Sequence, residues 1–109
     1  MNSKIHNAET DRLFDAVLSL KSREDCYKFF SDLCTIKELL AMAQRFEVAI
    51  MLEGKTTYLD IAEQTGASTA TISRVNRALS YGEDGYQMVF DRLGISPSLS
   101  EDAADNNSK

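Results

Sequence analysis

The stretch Thr57–Ser80, TYLDIAEQTGASTATISRVNRALS, limits most what this chain can fold into. Its apolar positions are Leu59, Ile61, Ala62, Ala67, Ile72, Val75 and Leu79. This spacing predicts a helix over 58–64, a turn over 65–67 and a second helix over 68–79, a helix-turn-helix. Gly66 stands where the chain must reverse, and glycine tolerates the positive φ such a turn needs. Ile72 and Val75 are three apart, share a helix face and can pack back onto Ile61, while Ala62 is small where two helices must cross. The second helix is then left with Ser68, Thr69, Ala70, Thr71, Ser73, Arg74 and Arg77. These are small, hydrogen-bonding or basic, as a helix entering the major groove of double-stranded DNA requires.

The rest of the chain supplies helices to carry this element. Leu13, Phe14, Val17 and Leu18 form a helical stripe within 10–20. Ser22, with Asp25 three residues on, is an N-cap for a second helix, whose apolar face is Cys26, Phe29, Phe30, Leu33 and Cys34. Thr35 and Glu38 form a capping box that opens a third and longest helix, running to about Glu53 and ended by Gly54. Its apolar residues (Leu39, Leu40, Met42, Ala43, Phe46, Val48, Ala49, Ile50, Met51 and Leu52) cover much more than one face. Such a helix must be buried on several sides, and in a chain this short a partner subunit is an economical source of cover. Thr57 with Asp60 caps the next helix. A turn cluster at 80–85 precedes a last short helix carrying Tyr86, Met88, Val89, Phe90 and Leu93, ended by Gly94. The expected organisation is a disordered N-terminus over 1–9, an all-α domain of six helices over 10–94 and a disordered acidic tail over 95–109.

At 109 residues, the chain has room for one domain with a real core. It has no apolar run long enough to span a membrane, and its N-terminus MNSKIHNAETDR lacks the apolar core of a secretion signal, so a cytoplasmic location is expected. The net charge of −5 is uneven. From residue 81 onward, Glu83, Asp84, Asp91, Glu101, Asp102 and Asp105 face only Arg92 and Lys109, whereas between 55 and 80 Lys55, Arg74 and Arg77 outnumber Asp60 and Glu63. The acidity thus sits mostly away from the candidate reader, yet it predicts weak non-specific DNA binding. Cys26 and Cys34 are expected as buried thiols, since eight residues of helix separate them by roughly 12 Å, too far for a disulfide. One histidine, His6, and two cysteines offer no metal site. With no Gly-rich phosphate loop and no activated nucleophile, the pattern is not that of an enzyme, and no cofactor is implied.

Ser68, Thr69, Ala70 and Ser73 occupy the first turns of the reading helix, where hydroxyls and a methyl can meet base edges or a phosphate. Ser68 as a plain N-cap is compatible with that. Arg74 and Arg77 reach a phosphate or a base, or else stay solvated or pair with Glu63 or an acid of a partner. Lys55 and Thr56, in the preceding loop, are further phosphate candidates. Tyr58 either stacks or reaches a phosphate, or packs at the helix start; Tyr81 and Tyr86 are expected to pack the glycine-containing loop, with a ligand or partner surface as the alternative; and Arg45 suits an ion pair between subunits more than a ligand contact.

The pieces AQRFEVAIMLEG, TYLDIAEQTGASTATISRVNRAL and YGEDGY, in this order, resemble the Trp repressor superfamily and within it the YerC/YecD branch, over roughly 10–93. The resemblance implies an all-helical fold that forms intertwined homodimers, and a bacterial DNA-binding regulator. The Trp repressor itself holds tryptophan between two arginines, one on the long helix and one on the reading helix. The second corresponds to Arg74. The first falls on Gln44 in an ungapped match through Gly54, and on Arg45 when the match starts from the Thr35 capping box. The repressor continues Gly-Ser-Asn-Ser where this chain has Val75-Asn76-Arg77-Ala78. A β-branched Val beside the slot and an Ala in place of a hydroxyl are expected to close or weaken an amino-acid pocket. Tryptophan is therefore not carried over as ligand, and Arg45 and Arg74 stay as slot candidates for an unidentified small-molecule effector. The expected function is a sequence-specific, homodimeric DNA-binding regulator of the repressor type. The alternative, suggested by the overall acidity, is a protein-interaction module that keeps the fold without reading DNA.

Overall fold

Side-chain oxygens placed to catch free N–H groups start most of the helices. In the computed structural model, which describes residues 3–95, a 3-10 turn at Ser3–Ile5 precedes six helices. They are α1 (Ala8–Leu18), α2 (Arg23–Leu33), α3 (Ile36–Glu53), α4 (Tyr58–Thr65), α5 (Thr69–Tyr81) and α6 (Gly85–Leu93). No strand occurs among the described residues, so the fold is all-α. The tail expected beyond Ile95 lies outside the described residues. The chain divides into two compact units between Leu40 and Ala41.

In the first unit, the Asn7 side chain accepts the Thr10 N–H at 2.9 Å, so α1 begins two residues earlier than the apolar stripe suggests. Ser22 Oγ accepts the Asp25 N–H at 3.0 Å and starts α2. The Thr35–Glu38 capping box forms in both directions, with Glu38 Oε1 accepting the Thr35 N–H at 2.8 Å and Thr35 Oγ1 accepting the Glu38 N–H at 3.1 Å. The helices are well capped and poorly covered. No residue of α1 or α2 is buried, Leu18 is 82% exposed and Ile36 81%. The cysteines depart from expectation for the same reason. Cys26 is exposed, and Cys34 is half-buried in the extended residue that ends α2. Both are free thiols.

The second unit holds the core. Val48 and Ala49 of α3, Ile61 of α4, Ala67 of the turn, Ile72 and Val75 of α5 and Phe90 of α6 are buried together. Phe46, Tyr86 and Phe90 close one side, with ring centroids 5.9–6.5 Å apart. The end of α3 differs from expectation. Lys55, rather than Gly54, takes the left-handed backbone (φ 67°), while its N–H bonds to Leu52 O and that of Thr56 to Met51 O. That hydrogen-bond pair is a Schellman ending with lysine in the glycine position. Among the described residues no helix is long and apolar enough to cross a membrane.

Candidate nucleic-acid interface

The turn between α4 and α5 is fixed by a small group of hydrogen bonds. Gly66 adopts φ 75° and its N–H caps Ala62 O. Thr65 Oγ1 donates to Ile61 O at 2.7 Å and accepts from the Ala67 N–H at 3.1 Å. Gln44, from α3, donates its side-chain amide to Thr65 O at 3.0 Å. Ile61, Ala67, Ile72 and Val75 lock the two helices together from below. Hydrogen bonds to the turn and packing beneath it thus set the pose of α5 before any partner arrives.

Ser68 is the N-cap of α5. Its Oγ accepts the Thr71 N–H at 3.1 Å and contacts Thr71 Oγ1 at 3.1 Å. Thr71 is half-buried, so its hydroxyl is partly committed to the cap. Thr69 and Ala70 are exposed at the helix start, where free N–H groups and the helix dipole favour an anion. Further along, Ala70, Ser73, Arg74, Asn76, Arg77, Ser80 and Tyr81, together with Tyr58 of α4, line an open concavity of about 750 Å³. No carboxylate lines it. Neither arginine is held in an ion pair among the described residues, so the pairing with Glu63 weighed from the sequence does not form. Lys55 is exposed and Thr56 half-buried in the loop before α4, and neither lines this concavity.

Asn76 and Ser80 line the concavity without having been marked by the apolar spacing. Their distance from Ser73 and Arg77 along one helix carried the signal. Leu59 corrects an expectation. Expected among the packed apolar positions, it is 70% exposed, whereas Ile61, two residues on and therefore on a different side of the helix, is fully buried. Tyr81 corrects another. It is 87% exposed as the last residue of α5, whereas Tyr86 alone packs, in the aromatic group with Phe46 and Phe90.

A second cavity of about 440 Å³ is lined by Met42, Arg45, Phe46, Arg74, Val75, Ala78 and Tyr86. It brings Arg45 and Arg74 to one space and leaves Gln44 to the turn. Arg74 lines both cavities. Val75 and Ala78 form part of the wall without filling the space. No group of three or more His, Cys, Asp or Glu residues able to hold a metal occurs among the described residues.

The model of the Trp repressor protein family matches residues 8–94, which span all six helices. The uncharacterised YerC protein of Bacillus subtilis is 57% identical over 90 residues, covering 83% of this chain and 86% of that protein. A TrpR-like protein from Eubacterium eligens superposes with a TM-score of 0.85 at 60% identity, over 87% of this chain and 98% of that one. A Staphylococcus aureus protein described as a candidate Trp repressor superposes with a TM-score of 0.84 at 49% identity, over 88% and 97%. A match along the whole helical region and two structural likenesses over most of the chain place it in a family: it belongs to the Trp repressor family.

Proposed function

We propose that the chain is a sequence-specific DNA-binding transcriptional regulator of the repressor type, acting in the cytoplasm as an intertwined homodimer. The observation that carries this reading is the outward face of α5. It is small, hydroxyl-bearing and basic, free of carboxylates, and belongs to a helix whose pose is fixed by Gln44 and Thr65. Ser68, Thr69, Ala70 and Ser73 meet base edges from the first turns, where hydroxyls serve either base type and methyls suit thymine. Arg74, Arg77, Lys55 and Thr56 meet phosphates. Family membership supports the same function. The exposed apolar side chains of α1, α2 and the start of α3 support the dimer, in which a second copy covers them. Two reading helices then enter successive major grooves about 34–36 Å apart on a palindromic site.

The test is a selection from genomic DNA with purified full-length protein. An enriched palindromic motif is expected. No enriched motif at low salt, with a protein partner recovered from cell extract in fixed stoichiometry, would favour the interaction-module reading instead. Thr69→Glu and Arg74→Ala are expected to weaken binding to the selected site at least tenfold with unchanged circular dichroism. Loss of helicity in either variant would make that position structural.

The cavity shared by Arg45 and Arg74 favours an effector as a second element of this reading. Two guanidiniums beside Phe46 and Tyr86 suit an organic acid with a flat apolar body. Val75 and Ala78 leave the cavity open, but they stand where the Trp repressor has a glycine and a hydroxyl, and that altered wall is the ground for not expecting tryptophan itself. The chain has no Trp, so added tryptophan can be followed by its own fluorescence. No shift on mixing is expected, and a saturable shift would reverse this reading.

A further inference from the structure

The base-reading turns occupy only the beginning of α5, whereas the acid-free concavity continues to the last residue of that helix. Ala70, Arg74, Arg77 and Tyr81 are spaced four, three and four apart and form one stripe, with Ser73 and Ser80 beside it. From Ala70 to Tyr81 the stripe is about 16 Å long. That length is enough to reach more than one phosphate of a strand. Two phenols line the concavity, Tyr58 from α4 and Tyr81 from α5, together with Arg77, Asn76 and Ser80. The Tyr81 ring takes part in no aromatic contact, and its hydroxyl and that of Tyr58 make no hydrogen bond among the described residues. An exposed tyrosine offers a rigid apolar ring and one strong donor, a combination suited to an interface with one wet, polar side. Phosphate and sugar oxygens take most of the hydrogen bonds that proteins make to DNA, and Arg, Ser, Asn and Tyr are common donors.

We propose that the C-terminal half of α5, with Tyr58, is a seat for the DNA sugar-phosphate backbone, in which the hydroxyls of Tyr81 and Tyr58 hold the strand that flanks the bases read by the first turns. This rests on the reading of α5 as the DNA-reading helix. The two halves of the helix then have different roles. The N-terminal turns choose the sequence, and the C-terminal turns set register and add affinity that does not depend on sequence. Tyr81 and Tyr58 become positioning residues for recognition.

The experiment uses full-length protein and the site selected by the wild type, with a scrambled duplex of equal length as comparison. Dissociation constants are measured for Tyr81→Phe, Tyr81→Ala and Tyr58→Phe at several salt concentrations. Each variant is expected to bind both duplexes about three- to tenfold more weakly, leaving the ratio between them unchanged, as one lost phosphate hydrogen bond dictates. Because a phenol is neutral, the salt slope should stay that of the wild type. Binding within twofold of wild type on both duplexes for Tyr81→Ala overturns the proposal. So does a loss confined to the selected site, which would make Tyr81 a base contact. A changed mass in light scattering also overturns it, by making Tyr81 a contact between copies. If Tyr81→Ala fails to fold, Tyr81→Phe, which keeps the ring and removes only the hydroxyl, decides. A wild type that selects no site removes the DNA reading itself, and that outcome is visible before any variant is made.

Discussion

Two helices of the second unit end with the same pair of backbone hydrogen bonds, but only one of them ends on glycine. At the end of α6, Ile95 N–H bonds to Phe90 O, Gly94 N–H bonds to Asp91 O, and Gly94 takes φ 74°. At the end of α3 the equivalent position is Lys55, at φ 67°. A side chain in the left-handed region costs about 1–2 kcal/mol, partly offset in any glycine replacement by the greater chain entropy of glycine when unfolded. Lys55→Gly is therefore expected to stabilise the protein by about 0.5–1 kcal/mol in chemical denaturation. If the Lys55 ammonium meets a phosphate, the same variant binds DNA more weakly, with a salt slope smaller by about 1. A more stable variant with unchanged DNA affinity would remove Lys55 from the interface. The glycines rank by the same reasoning. A Cβ on Gly66 meets no heavy atom within 4 Å, so Gly66→Ala costs only its conformational penalty of about 1 kcal/mol. A Cβ on Gly82 would clash with the Ala78 carbonyl oxygen, which is backbone and cannot swing aside. Gly82→Ala is expected to cost more than Gly66→Ala, about 2–3 kcal/mol, and equal midpoints for the two would refute the ranking.

Whole helices are governed by their first turns, and one of those turns titrates. The Glu38 carboxyl is held below its ordinary value of 4.5 because it accepts the Thr35 backbone N–H, with the Thr35 side-chain hydrogen bond adding to the effect. The charged form is the one that α3 prefers, so this contribution is present in full above about pH 4.5 and is lost as pH falls through the lowered value. Thermal midpoints of wild type and Glu38→Gln should differ most near neutrality and converge as pH falls through the lowered value. Parallel curves over that range would show that the capping box contributes nothing through its charge. The helix starts were legible in the sequence because a cap is local: Ser22, Thr35, Thr57 and Ser68 each carry their partner three residues on. The ends were less so. The α3 ending at Lys55 breaks the glycine rule, and α5 continues past the last apolar position to Tyr81, where Gly82 N–H bonds to Ala78 O.

At the scale of the whole molecule, periodicity exposes which face of α5 looks outward, and hence Ser73, Arg74 and Arg77, but not what stands opposite them. The choice between Gln44 and Arg45, the exposure of Leu59 and the presence of Tyr58 and Tyr81 on one concavity depend on helix rotation and crossing, which no local pattern encodes. The thiols of α2 illustrate the same limit, since an apolar face written in sequence is buried only if something covers it. That condition leads to the last prediction. Leu18, Ile36, Leu33, Phe14 and Leu40 are all at least half exposed in a single copy, and fully burying each such side chain is worth about 1.5–3 kcal/mol. If a second copy supplies the cover, folding and association are one equilibrium and the thermal midpoint must rise with protein concentration. Wild type should then scatter light as twice the 12.2 kDa chain. Leu18→Asp and Ile36→Asp should lower the midpoint, shift the mass toward one chain and weaken binding to a palindromic site far more than to half of it, because the second reader is no longer delivered by the first. A wild type that stays at single-chain mass at micromolar concentration, with a midpoint independent of dilution, would sink the dimer. The helix-turn-helix would then have to read DNA as a single copy, from the core of its second unit alone.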